Sequence, residues 1–222
     1  LNEKEKMVNV KFVFHTLIAL IGFLSVVIHV IYSPAPWVSL TKFTIQSNLI
    51  VSITFLLSAL MISSRKQPSP FLNFLKNCSV IYMFIVSATY HFLLSSGGDY
   101  AGIRIITNFT LHYLLPIFVF MNWIAFEVKK KYSYRHIFYW MVFPLLYCVA
   151  SLVRGLVDGY YPYFFLNPYG EIPIGVGNYS YVALFIAVYL FVYVVLGFFL
   201  ILLNRIFLNF KPETSNSCVK HS

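Results

Sequence analysis

Apolar stretches of twenty residues or more run along this chain, separated by short segments in which the charged residues gather. Six windows carry the apolar pattern: residues 10–32, 44–64, 74–95, 103–127, 134–155 and 179–206. Each is long enough to cross ~30 Å of hydrocarbon as a helix. The joins, 33–43, 65–73, 96–102, 128–133 and 156–178, are too short to hold a second domain. The pattern therefore predicts an all-α fold, a polytopic bundle of six transmembrane helices in one domain over residues 1–210. A polar tail, 211–222, is expected to be disordered. No internal repeat is visible.

Composition agrees. Charged residues make up 10% of the chain and hydrophobic residues 59%, where a soluble domain carries about 25% charged residues. Too few charges remain to cover a solvated surface. The net charge of +9 would suit nucleic acid, but the placement of the basic residues excludes that partner. Lys4, Lys6, Lys11, Arg65, Lys66, Lys76, Lys129, Lys130, Lys131, Arg135, Arg205, Lys211 and Lys220 fall on one side of the six spans. Only Lys42, Arg104 and Arg154 fall on the other. This asymmetry places both termini in the cytoplasm and adds affinity for anionic lipid headgroups. The first span is longer than the core of a cleaved signal peptide and reads as a retained helix. Cys78, Cys148 and Cys218 all lie away from the outer loops, so no exported disulfide is indicated.

With the orientation set, the costly polar residues concentrate in the outer half of the spans. His29 closes span one; Thr44, Gln46, Ser47 and Asn48 open span two; His91 lies near the outer end of span three. Arg104, Asn108 and His112 descend span four at i, i+4 and i+8, on one helical face. Arg154 closes span five beside Asp158. The inner half carries only His15, Asn122 and Glu127. Ionisable groups inside a bilayer usually face the bundle interior and mark a site, so a polar chamber open to the outer leaflet is expected. Pro116 withdraws the amide that would bond the His112 carbonyl, which predicts a kink there. The plain readings are interfacial histidines at His29 and His91, snorkelling arginines, and a threonine that merely caps a helix.

The last outer loop, 156–178, holds Tyr160, Tyr161, Tyr163, Phe164, Phe165 and Tyr169 and is too aromatic for a solvated linker. It is expected to lie at the headgroup level and roof the chamber. No phosphate-binding glycine loop, paired-cysteine, zinc-protease or nucleophile-elbow motif is present. Two chemistries remain. One is hydrolysis by a Thr44 or Ser47 hydroxyl activated by His112, with Asn108, Gln46 or Asn48 as oxyanion donors. The other is metal or haem ligation by His29, His91 and His112. A non-enzymatic small transporter or lipid-binding protein using the same chamber is the remaining class, although no repeat or paired broken helices support transport.

The segments Lys42-Phe43-Thr44-Ile45-Gln46-Ser47-Asn48-Leu49 and Asn108-Phe109-Thr110-Leu111-His112-Tyr113-Leu114-Leu115-Pro116, with Tyr161-Pro162-Tyr163-Phe164-Phe165-Leu166 later, resemble the androgen-induced membrane hydrolase family and its bacterial integral-membrane relatives. The resemblance runs from the first span to the last. It implies a cofactor-independent hydrolase of fatty acid esters of hydroxy fatty acids, with Thr44 and His112 as the catalytic pair. Substrate or oxyanion contacts would come from Gln46, Asn48, Asn108, Arg104, Arg154, His91, Tyr161 and Tyr163. The Phe-Thr-Ile-Gln-Ser-Asn string is closer to the bacterial branch, which implies a bacterial plasma membrane, a lipid partner and an undefined substrate. Oligomeric state is left open.

Overall fold

The computed structural model describes residues 2–97, 100–127 and 132–209. The expected tail lies outside them. Six helices are long and apolar enough to cross a membrane: Glu5–Ile31, Phe43–Ser63, Pro70–Leu94, Ile103–Phe126, Arg135–Asp158 and Tyr179–Leu208. Among the described residues there is no strand, and the fold is an all-α multi-pass bundle. The span boundaries fall within a few residues of those read from the apolar windows.

Local chemistry explains where the elements begin and end. We number the helices α1 (Glu3–Ile31), α2 (Pro36–Leu40), α3 (Phe43–Ser63), α4 (Pro70–Thr89), α5 (Ile103–Phe109), α6 (Leu115–Phe126), α7 (Arg135–Asp158) and α8 (Tyr179–Asn209). Helix α2 is a one-turn element in the first loop, begun by Pro36, whose fixed φ suits a first helical position. At α4, the Ser69 hydroxyl accepts the Leu72 amide at 3.1 Å and Pro70 follows. Helix α7 stops at Gly159, which adopts φ 74° and returns its amide to the Gly155 carbonyl at 3.1 Å. Two π-helical turns were not anticipated. One, Tyr90–Leu94, extends α4; the other, Thr110–Leu114, joins α5 to α6.

Helices α1, α3, α4 and the α5–α6 span form the packed part of the bundle. Gly22 lets α1 approach α3 and α6, since a Cβ there would collide with the Ser52 hydroxyl and the Leu115 side chain. Small residues at such crossings are how helices pack in lipid, where apolar side chains gain little from leaving the solvent. Ile18, Val51, Phe55, Leu111, Leu115, Val119 and Trp123 fill the interior. Helices α7 and α8 pack against each other and expose long apolar faces, including Leu146, Val153, Phe191 and Phe199. Such faces suit lipid.

The lysine-rich end contains a polar network that changes two sequence expectations. Lys76, counted above among the basic residues that set the orientation, is only 2% exposed. Its ammonium donates to Glu127 Oε1 at 2.9 Å and Oε2 at 2.7 Å. The Asn122 amide donates to Glu127 Oε1 at 3.3 Å, and Lys11 donates to the neighbouring Phe126 carbonyl at 3.1 Å. His15 Nε2 lies 4.0 Å from the same carboxylate. Costly polar groups are thus clustered at both ends of the bundle, not in the outer half alone. Burial by itself would raise the pKa of Glu127, but the charges of Lys76 and Lys11 outweigh it and hold the group below its ordinary 4.5.

Removing one partner of this pair strands a buried charge. Glu127→Gln is expected to destabilise the protein by about 3–5 kcal/mol, read as a lower unfolding temperature in detergent. Replacing both partners, with Lys76→Met and Glu127→Leu, should recover most of that loss. Because the folded carboxyl has the lowered pKa, its contribution is present above pH 4.5 and fades as pH falls through the folded value. The acid loss should be smaller in Glu127→Gln. Equal stability of the single and double variants would exclude a working ion pair.

Candidate functional site

Pro116 has no amide hydrogen, so an uninterrupted α-helix would leave the His112 carbonyl without a donor. The chain widens into a π turn instead: the Leu115 amide donates to the Thr110 carbonyl, five residues back. Where the sequence predicted a kink, the structure has this π turn. Its consequence is local. His112 stays on the inward face and is 5% exposed, and its Nδ1 lies 2.9 Å from the backbone carbonyl of Asn108.

That contact sets the tautomer. A carbonyl oxygen can only accept, so Nδ1 carries the hydrogen and Nε2 presents its lone pair. Nε2 faces Thr44 Oγ1 at 3.3 Å, and the threonine hydroxyl is therefore the donor. The ring is held from one side by Tyr90, stacked at 4.0 Å between centroids and 22° between planes. Tyr90 belongs to the other π turn and accepts a hydrogen bond from the Asn108 amide at 2.6 Å. Asn108 thus orients the imidazole directly through its backbone and indirectly through its side chain. No carboxylate takes this role among the described residues: Asp158 pairs with Arg154 at 2.9 Å, and Asp99 lies outside the described residues.

Thr44 is the second residue of α3, where helix amides lack intrahelical partners. Two tyrosine hydroxyls serve them. The Phe43 amide donates to Tyr147 at 3.1 Å, and the Thr44 amide donates to Tyr163 at 3.4 Å. Tyr147 spends its own proton on the Thr41 carbonyl at 3.0 Å. Tyr163 accepts from the Thr44 amide, holds its own hydroxyl proton beside the Thr44 side chain, and lines a cleft that reaches the threonine. Burial raises the pKa of Tyr163, which keeps that proton in place.

The cleft encloses about 760 Å³ of non-atom space, part of it open to the surroundings. Its walls come from α4 (Ile85, Val86), α7 (Met141, Pro144) and α8 (Leu190, Tyr193). Thr44, Tyr147 and Tyr163 also line it. Where a polar chamber was expected, the cleft at Thr44 is mainly apolar, with a few hydroxyls in its lining. The outer polar side chains mostly bond to each other and to the backbone, as follows.

Asn48 donates to the carbonyls of Thr44 at 2.7 Å and Leu111 at 3.4 Å. It ties α3 to the turn that carries His112, so its amide hydrogens are not directed into the cleft. Ser47 donates to the Phe43 carbonyl at 2.6 Å, within its own helix. Gln46 donates to the Leu40 carbonyl at 3.2 Å on an exposed edge. Arg104 leaves the ladder on span four to reach His29 Nε2 at 3.3 Å, while His29 Nδ1 meets the Thr107 hydroxyl at 3.0 Å. Arg154 lies over the Tyr160 ring at 4.5 Å and keeps to the exposed Asp158. His91 meets the Tyr113 hydroxyl at 3.2 Å on the exterior. Tyr161 packs over Gly155, where any Cβ would overlap its ring. The three histidines proposed as metal ligands keep separate partners. Among the described residues, no group of three His, Cys, Asp or Glu side chains could hold a metal ion. Tyr90 and Tyr147 were missed in the sequence because tyrosines are everywhere in the chain and nothing in spacing singles these out.

The tautomer is directly testable. In ¹⁵N-histidine spectra of the detergent-solubilised protein, the signals lost in His112→Gln should show a protonated Nδ1 and a bare Nε2. Protonation on Nε2 instead would mean that His112 cannot accept from Thr44. Comparison with protein-family models, with curated proteins and with solved structures gave no match for the chain.

Proposed function

We propose that this protein is an intramembrane hydrolase of lipid esters, with Thr44 as nucleophile and His112 as general base. The observation that carries the reading is the 3.3 Å hydrogen bond from the Thr44 hydroxyl to an imidazole whose other nitrogen is tied to the Asn108 carbonyl. A nucleophile, a base and an orienting acceptor stand in line, which is the arrangement covalent catalysis needs. The apolar cleft beside Thr44 fits an acyl chain. The Thr44 and His112 segments are also those that resemble the membrane hydrolase family named above.

In the first half-reaction, His112 Nε2 takes the Thr44 proton as Oγ1 bonds to the ester carbonyl carbon. The carbonyl oxygen becomes an oxyanion, and the Tyr163 hydroxyl donates to it. The tetrahedral carbon then expels the alcohol oxygen, which receives the proton from His112. An acyl-threonine remains. In the second half-reaction His112 takes a proton from water, the hydroxide bonds to the acyl carbon, and Thr44 leaves as its hydroxyl after recovering that proton. The products are a fatty acid and an alcohol. Asn48 and Tyr90 act only through Thr44 and His112.

Purified protein should hydrolyse long-chain esters. Thr44→Ala should abolish turnover, and His112→Ala should lower kcat about 10²–10⁴-fold. Tyr163→Phe, losing one oxyanion donor, should cost about 10²–10³-fold in kcat. A fluorophosphonate probe should label Thr44 and no longer do so in Thr44→Ala. Unchanged turnover in Thr44→Ala, with lipid binding retained, would favour a non-enzymatic lipid-binding protein.

A further inference from the structure

The proposed chemistry uses the hydroxyls of Thr44 and Tyr163 and leaves a second set in the same cleft without a task. Thr89 on α4, with Tyr189 and Tyr193 on α8, also lines it. The Tyr189 hydroxyl donates to Thr89 Oγ1 at 3.1 Å. Other helical threonines of this chain, Thr16, Thr54 and Thr110, each donate to the carbonyl four residues back. Thr89 makes no such bond, so its own hydrogen has no acceptor among the described residues. Tyr193 is 4% exposed and makes no hydrogen bond among the described residues, although its oxygen is not sealed from accessible space.

A run of rings places this set relative to the reacting pair. Tyr163, which meets the Thr44 amide, stacks on Phe165 at 5.1 Å between centroids, and Phe165 meets Tyr189 at 5.2 Å. Tyr193 follows Tyr189 by one turn of α8, ~6 Å further from the last loop. A chain that enters the cleft past Thr44 and Tyr163 therefore meets Thr89 and Tyr189 next, and Tyr193 after them. Hydroxyls turned to a dry cleft are costly when they have no partner. Valine and phenylalanine would serve a plain methylene chain as well. Two unspent hydrogens call for an acceptor on the ligand. No lysine, arginine or histidine lines the cleft, so a carboxylate or phosphate would stand there without a counter-charge. The acceptor must be uncharged.

We propose that Thr89 and Tyr193 are specificity residues that donate to an uncharged oxygen carried by the substrate's chain inside the cleft, away from the bond that is cut. The proposal rests on the hydrolase reading of Thr44. Tyr189 is a positioning residue, since its hydrogen bond fixes the Thr89 hydroxyl. A carbonyl oxygen suits the donors best, because it only accepts and has two lone pairs. The preferred substrate is then a lipid ester with a keto group along its acyl chain, and an ester of a plain saturated acid is a poorer one.

Binding and turnover are measured separately. In binding, the unfolding temperature is read in mixed micelles with stearyl alcohol and with stearyl alcohols bearing one keto group, moved carbon by carbon along the chain. A narrow range of positions should stabilise wild type beyond the plain alcohol. That excess should fall in Thr89→Val and in Tyr193→Phe and vanish when both are changed. Without ligand, Tyr193→Phe should unfold no lower than wild type, because no hydrogen bond is lost. In turnover, nitrophenyl esters of the keto acids should show the same preferred range, with kcat/KM about tenfold above the stearate ester. The ratio should drop to about one in the double variant, mainly through KM. A hydroxyl at the preferred position that binds less well than the keto group assigns a carbonyl; equal binding assigns any uncharged oxygen. No preferred position in binding, or a preference that survives in the double variant, would overturn the site. Unchanged turnover in Thr44→Ala would instead overturn the hydrolase reading and leave the keto preference in binding standing.

Discussion

Within hydrocarbon every backbone amide and carbonyl needs a partner from the protein, because water is not there to supply one. Pro116 breaks that rule in the middle of the fourth span by removing one donor. The chain answers with a π turn, in which the Leu115 amide reaches back to Thr110. The site follows from that adjustment. The turn carries the imidazole of His112, and the Asn108 carbonyl one turn above accepts its Nδ1 hydrogen. A second π turn at the end of α4 brings Tyr90 flat against the same ring. Single-turn π segments inside α-helices are frequent at functional sites, since they rotate one side chain out of register at low cost.

A second constraint acts on Thr44. The start of α3 leaves backbone amides to be satisfied, and tyrosines from elsewhere satisfy them: Tyr147 from α7 and Tyr163 from the last loop. Helix α7 packs mainly on α8 and on the short 3-10 turn Phe164–Leu166, with the apolar cleft between it and α4. Tyr147 therefore bridges the open side of the bundle at the very residue that neighbours the candidate nucleophile. The aromatic content of the last loop has a use beyond an interfacial belt. Tyr163 and Phe165 turn inward to line the cleft, while Tyr169, Ile172 and Ile174 remain exposed.

Much of this was legible in the sequence for a plain reason: a bilayer imposes length and polarity on each span, and both can be counted. The span limits belong to that class; polarity alone left Thr44 and Ser47 open beside His112, and the choice of Thr44 came from the family resemblance. What escaped were relations set by side-chain direction across helices. Lys76 reads as one more basic residue near a helix end, and only packing puts it on Glu127. Arg104, Asn108 and His112 share a face by spacing, yet each turns to a different partner. Asn48 looks like an oxyanion donor until its amide is found between two backbone carbonyls. An orienting carboxylate was sought for His112, but a main-chain carbonyl fills that place, and no sequence letter encodes one.

The site also lies at a seam. On one side are His29, Arg104, Thr107 and Asn108, polar groups that tolerate water; on the other is an apolar cleft bounded by α4, α7 and α8. An ester hydrolase acting on lipid needs both surroundings. The acyl chain requires a dry wall, whereas the second half-reaction requires a water molecule within reach of His112 Nε2. Thr44, in the first turn of α3, touches both: its hydroxyl meets His112 and its amide meets Tyr163, which lines the cleft. In the proposed hydrolysis, a low local dielectric on the cleft side would strengthen a hydrogen bond from Tyr163 to the developing oxyanion. The same low dielectric makes any unpaired charge nearby expensive, and the ion pairs of the described residues are kept to Glu127 and Asp158.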